Sequence, residues 1–151
     1  MNVIKENFAI YDMGAFPAEE KKIADGTKVG YRKLFLSPYT TGEPIMLLLS
    51  SLREGLAGEI KDLKSVGHSH LQEEEIMLIP KAAKVIADGE EYAVPANTMF
   101  VAKPGCHHTI VYEGEGNLDV LCIFTPSIPQ NEDDGYPPLI EKTRAYLDTL
   151  E

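Results

Sequence analysis

The chain has 151 residues, 44% hydrophobic and 25% charged, a balance ordinary for a soluble globular domain with a core of its own. Its formal net charge of -10, with 14 scattered lysines and arginines, argues against a surface that neutralises phosphates, so neither nucleic acid nor an anionic membrane surface is an expected partner. No run approaches the roughly 20 consecutive apolar residues of a membrane span, and Met1 to Asn7 lack the layout of a secretory signal, so the expected location is cytoplasmic.

Residues 14–28 hold Gly14, Pro17, Gly26 and the charged run Glu19-Glu20-Lys21-Lys22, which reads as a surface segment. The short apolar runs at 31–36 and 45–49, bounded by Pro38, Gly42 and Pro44, fit strands better than helices. Residues 53–67 carry Gly55, Gly58 and Gly67 and read as a long loop or irregular strand. From Glu75 the pattern is regular. Strands are predicted over 75–79, 84–87, 91–94, 98–102, 108–112 and 118–124. Asp88-Gly89 between the second and third of these is a hairpin signal, because a two-residue turn demands positive φ. Short strands with frequent turn signals indicate a sandwich or barrel. Pro126, Pro129, Gly135, Pro137 and Pro138 mark 126–138 as an irregular linker, and the spacing of Leu139, Ile140, Thr143, Tyr146, Leu147 and Leu150 predicts an amphipathic helix that must pack on the barrel or on a second subunit.

The informative triplet is His68-Ser69-His70. On a strand, residues two apart share a face about 7 Å apart, so two imidazoles can converge on one ion. Glu75 heads the next strand with Met77 and Ile79 on its own face, which favours it over its neighbour Glu74. His108 opens another strand after a turn and supplies a fourth ligand, while His107 should face the opposite side. Three imidazoles and one carboxylate suit a divalent transition ion such as Fe, Mn, Ni, Co or Zn; magnesium and calcium want more oxygen. Cys106, in the turn before His108, is either a sulfur donor or a small buried residue. Cys106 and Cys122 are too few and too far apart for a disulfide framework and read as reduced thiols. Arg32 and Arg53 are either clamps for a substrate carboxylate or surface charges with their stems on the barrel.

From Gly67 to Phe124 the chain resembles the cupin superfamily. The first cupin motif, His-x-His, three or four residues, Glu, six residues, Gly, is matched by His68, His70 and Glu75, with Ala82 where the glycine would stand. The second, Gly, five residues, Pro-x-Gly, two residues, His, is matched by Gly105 and His108, with Asn97 for the first glycine and Lys103 for the proline. The resemblance implies an all-β double-stranded β-helix (a jelly-roll, or cupin, barrel) with a short C-terminal α-helix. It also implies one domain over 1–151, its core barrel about 29–125 and the linker and helix over 126–151. Leu47-Leu48-Leu49, apolar on both faces, is either a doubly covered strand or a subunit interface; cupins commonly dimerise through such strands, so the resemblance implies a homodimer.

Four ligands on a six-coordinate ion leave about two positions open, which is what separates a catalytic metal from a structural one. Such a site can bind a bidentate oxygen ligand, and with Fe(II) it can activate dioxygen. The leading expectation is a metal-dependent enzyme, dioxygenase-type, acting on a small oxygen-rich metabolite, with Met77 and Ile110 forming an apolar wall beside the ion. The alternatives are a cupin isomerase or decarboxylase, a non-catalytic metal-dependent protein that binds or senses a small ligand, and a purely structural metal. Fold does not choose among them.

Overall fold

The computed structural model describes residues 2–23, 25–130 and 136–150. After a small hairpin, β1 (Val3–Ile4) with β2 (Ala9–Ile10), the chain runs through β3 (Glu19–Lys22), β4 (Lys28–Leu36) and β5 (Met46–Leu52). A four-residue helix, α1 (Leu56–Glu59), and a 3-10 turn at Leu63–Ser65 precede β6 (Glu74–Ile79), β7 (Ala83–Ala87), β8 (Glu90–Val94), β9 (Thr98–Ala102), β10 (His108–Val111) and β11 (Leu118–Thr125). Helix α2 (Tyr136–Asp148) follows.

Apart from the two-stranded β1–β2 sheet, the strands form two antiparallel sheets, one in the order β3-β4-β5-β11-β6-β9 and one in the order β10-β7-β8. Among the described residues no ladder closes the two into a cylinder. Their inner faces meet instead in one apolar cluster that includes Leu34, Met46, Leu48, Met77 and Phe124 of the large sheet and Val85 of the small one. Period-two alternation produces this: along β11, Leu118, Val120, Cys122 and Phe124 are buried while the residues between them are not.

The hairpin at Asp88-Gly89 forms as its sequence dictates, with φ of 48° and 86°. Asn97, standing in place of the motif's glycine, has φ 63°, a left-handed geometry that asparagine tolerates better than most side chains. Ala82 does not adopt positive φ, so the loss of glycine there costs no backbone strain.

Two expectations need correction. Residues 19–22 of the presumed surface segment form an edge strand paired with β4, in which Glu19 and Lys21 are half-buried and Glu20 and Lys22 exposed. The C-terminal helix starts at Tyr136, inside the expected linker, because Pro137 and Pro138 sit in its first turn, where their missing N–H groups would have no partner anyway. Residues 131–135 of that linker lie outside the described residues. Segment 53–67 is a loop that contains α1 and the 3-10 turn. Of the two possible supports for α2, the barrel provides one. Leu139, Ile140 and Thr143 are buried, Arg144 Nε donates to the Tyr39 carbonyl at 2.7 Å, and Tyr146 packs against Phe16 with ring centroids 5.0 Å apart.

Candidate metal centre

The three histidine and one glutamate side chains are placed by three pieces of backbone. Glu75 sits on β6, where alternation turns Glu75, Met77 and Ile79 inward and leaves Glu74 to face out and pair with Lys103 at 2.6 Å. His108 opens β10, with the turn before it set by Gly105, whose N–H donates to the His70 carbonyl at 2.7 Å. His68 and His70 do not lie on a regular strand. A bridge to β10 anchors His68, whose N–H donates to the His108 carbonyl at 3.0 Å and whose carbonyl accepts from the His108 N–H at 2.8 Å, while the Gly105 N–H anchors His70. Gly67 makes this approach possible, since a Cβ there would stand 2.6 Å from the His108 carbonyl oxygen and 2.7 Å from the His107 ring.

The three imidazoles converge on one carboxylate oxygen. Glu75 Oε1 lies 2.9 Å from Nε2 of His108, 3.2 Å from that of His70 and 3.9 Å from that of His68. One possible ligand atom from each of the four residues lies within 4.8 Å of the others. Ligands about 2.1 Å from a common ion stand about 3.0 Å apart at right angles and about 4.2 Å apart when opposite, so the cluster fits one ion after a small contraction of its widest pair. His70, Glu75 and His108 are buried, whereas the His68 side chain is 46% exposed and forms the open edge. Rings pack the cluster from the core side: Phe124 meets His70 edge-on at 5.0 Å, and Phe100 meets His108 at 5.9 Å.

The electrostatics follow from this crowding. Burial opposes ionisation of Glu75, but hydrogen bonds from His108, His68 and His70 prevail and hold its carboxyl well below the usual carboxylate range. For His108, burial opposes the charged form, yet the Glu75 carboxylate prevails and raises it above the ordinary imidazole value. Its Nδ1, 3.0 Å from the Cys106 carbonyl, donates there. That bond commits Nε2 to the cluster, as a carbonyl on the far ring nitrogen does for a histidine that binds a metal. In the raised, protonated state, a proton on Nε2 occupies the direction in which a metal would bind. His68 is pulled both ways. Its hydrogen bond to Glu75 favours the cation, but desolvation and the positive neighbours His108 and Lys21 bring it below the ordinary value.

A cavity of about 130 Å³ opens beside the cluster, large enough for a small metabolite rather than a single water. His68, Glu75 and His108 line it together with Met77 and Ile110, the expected apolar wall. Leu56, Ile60, Leu63 and Val66 of the 53–67 segment also line it, as does Lys21 of the edge strand. Lys21 was hidden in the sequence within a run of four charges, whereas the 56, 60, 63 spacing of apolar residues was a legible signal of a face turned inward.

The other candidates fall elsewhere. His107 is outside the cluster; its ring lies against Gly67 and its N–H donates to Asp88 Oδ1 at 3.0 Å. Cys106 is not among the converging groups. Burial, with the nearby Asp88 charge, pushes its thiol up. Cys122 is a core residue on β11 that also reaches the cavity, and burial raises its thiol well above the usual range. Arg32 is buried with its guanidinium 4.5 Å from the centre of the Tyr136 ring, away from the cavity. Arg53 lines the cavity but is engaged by the Glu59 carboxylate and by the Lys28 carbonyl.

No protein-family model and no curated protein sequence matches the chain. Solved structures of cupin type do. A predicted oxalate decarboxylase from Thermotoga maritima matches with a TM-score of 0.61 at 17% identity, over 76% of this chain and 96% of its own. KdgF from Halomonas sp. matches with a TM-score of 0.51 at 20% identity, over 77% and 89%. FeII HppE matches with a TM-score of 0.58 at 10% identity, over 82% and 64%. The fold of this chain is the cupin fold, with the C-terminal helix packed against it. Within that fold, this chain gathers three histidines and a glutamate into one group that could hold a metal ion.

Proposed function

We propose that the chain binds one divalent transition metal (Fe, Mn, Ni, Co or Zn) through His68, His70, Glu75 and His108, and acts through it on a small oxygen-rich metabolite, with dioxygenase-type chemistry as the leading reaction. The observation that carries this is the convergence of three imidazole nitrogens on one buried carboxylate oxygen beside a metabolite-sized cavity. When bound, the ion supplies Lewis-acid polarisation of an oxygen ligand and, as iron(II), reactivity toward dioxygen. The residues do the rest. The imidazoles bind as neutral donors, Glu75 offsets one positive charge, and Met77 and Ile110 give the cavity an apolar wall beside the ion. The Fe(II) carried by HppE and the decarboxylase description of the Thermotoga protein support metal chemistry in this fold; they belong to those proteins.

A second reading, capture of a ligand without turnover, is favoured by the apolar character of the cavity wall. Oxygen consumption separates the two. Protein purified without chelators and carrying stoichiometric iron is expected to consume oxygen with at least one member of a panel of catechols, thiols and ene-diols. Silence across the panel, with a ligand recovered unchanged, selects the second.

The same reading includes a homodimer. Two rows of apolar side chains cross the outer face of the large sheet, Leu49-Leu121-Leu78-Met99 and Leu47-Ile123-Ile76-Val101, each row built from directly paired residues. Leu78, Met99 and Val101 are exposed, and a continuous apolar face of this kind is a subunit interface in search of its partner.

A further inference from the structure

We propose that the 56–66 segment selects the body of the ligand, so that the cavity takes a molecule with an oxygen-donor head for the metal and an uncharged hydrocarbon tail, in preference to a sugar or a dicarboxylate. This narrows the ligand of the reading above and rests on that reading of the cavity. The observation is a two-faced segment laid over a void. Leu56, Ile60, Leu63 and Val66 line the cavity, whereas Glu59, Lys61, Asp62 and Lys64 between them are exposed. Gly55, at φ 82°, makes the turn that starts α1. The 3-10 turn at the other end packs against β10, the strand that His108 opens, and the chain then runs directly into His68. The segment therefore borders the metal centre.

These side chains do not simply complete the core. Leu56 is buried, but Ile60, Leu63 and Val66 are only half-buried, facing space that the protein does not fill. The opposite wall has the same character, with Leu52, Met77 and Val120. The cations at the cavity are already engaged: Arg53 is met by the Glu59 carboxylate, and Lys21 has a partner of its own. Tyr112, also at the cavity, donates its hydroxyl to the Glu115 carbonyl at 2.6 Å. A carboxylate or a hydroxyl-covered body placed here would lose its water and find few partners, a cost that hydrocarbon does not carry. A tail that covers the aliphatic wall gains the hydrophobic term instead, up to about fourfold in affinity for each methylene buried.

The test uses acetohydroxamate, 4-methylpentanohydroxamate and succinomonohydroxamate. All share one metal-binding head, and the last two have bodies of similar shape that end in an isopropyl group or a carboxylate. Cobalt-loaded wild type, Ile60→Thr and Leu63→Asn are titrated calorimetrically with each, and cobalt content and melting temperature are measured on every sample. In wild type, 4-methylpentanohydroxamate is expected to bind roughly tenfold or more tightly than acetohydroxamate, and succinomonohydroxamate no more tightly than acetohydroxamate. The ratio of the first two affinities should fall roughly threefold or more in each folded variant. Equal affinity for the short and the branched probe in wild type overturns the proposal, as does succinomonohydroxamate binding as tightly as its isopropyl counterpart. A ratio unchanged in both folded variants removes the segment from the selection and overturns it too. Failure of wild type to take up cobalt refutes the metal reading instead. The same probes on metal-free protein then decide the selection, a preference for the isopropyl body supporting it and the lack of one overturning it.

Discussion

Replacing Gly67 with alanine should damage the metal centre without touching a ligand. The added Cβ would stand 2.6 Å from the His108 carbonyl oxygen, against the 3.4 Å at which ordinary contact begins. Relief therefore requires the 67–68 segment and the start of β10 to part by about 0.8 Å, because neither the backbone carbonyl nor the packed His107 ring can swing away freely. That movement acts directly on the reciprocal His68–His108 bridge, which sets the spacing of two proposed ligands. Metal–ligand distances tolerate about 0.2 Å, so the displacement is several times what the site can absorb. Gly67→Ala is expected to weaken metal binding by roughly 10–100-fold, the range seen when supporting residues of metal sites are changed. Overpacking alone would lower stability by about 1–3 kcal/mol. Chelator competition gives the affinity and thermal unfolding of the metal-free protein gives the stability. Unchanged affinity in a folded variant would refute the claim that Gly67 sets the approach of His68 to His108.

Two further outcomes follow from the same geometry. Metal affinity should rise with pH and go on rising above the ordinary imidazole value of 6.5, because His108, held above it by Glu75, must give up its proton before it can bind a metal; a plateau reached below 6.5 in chelator competition contradicts this. In the metal-free protein the signs differ: the raised His108 stabilises the fold at low pH and that contribution is lost as pH rises through its folded value, while the depressed Glu75 stabilises it above the ordinary carboxyl value of 4.5 and that contribution is lost as pH falls, so thermal melts across pH should peak between the two. On the outer sheet face, Leu78→Glu should convert a dimer into a monomer in light scattering coupled to size exclusion, since it puts a charge at the centre of the apolar rows; a wild type that is already monomeric removes the dimer from the account.

The parts of the molecule legible in the sequence are those where one local rule acts alone. Positive φ at Asp88 and Gly89 forces the hairpin, and alternation along β6 separates Glu75 from Glu74 although the two are chemically identical. The pairing of His68 with His70 was inferred from strand periodicity, yet the segment is no strand. A long-range bridge to His108 brings the rings to a centroid distance of 4.8 Å, a contact that local pattern cannot encode. Lys21 was invisible for a different reason. In Glu19-Glu20-Lys21-Lys22 every residue is charged, so hydropathy carries no period and only the pairing of β3 with β4 reveals which side chains turn inward. The early start of α2 was masked by Pro137 and Pro138, which forbid a helix interior but suit a helix's first turn.

Everything about activity depends on four side chains sharing one ion, and X-ray absorption on metal-bearing protein tests that most directly. Elemental analysis of protein purified without chelators should give one transition metal per chain. The absorption spectrum should fit three imidazole nitrogens with additional oxygen ligands, and both metal content and imidazole scattering should fall in His68→Ala and His108→Ala. A wild type that takes up no metal under these conditions, or whose metal persists unchanged in both variants, would contradict the account.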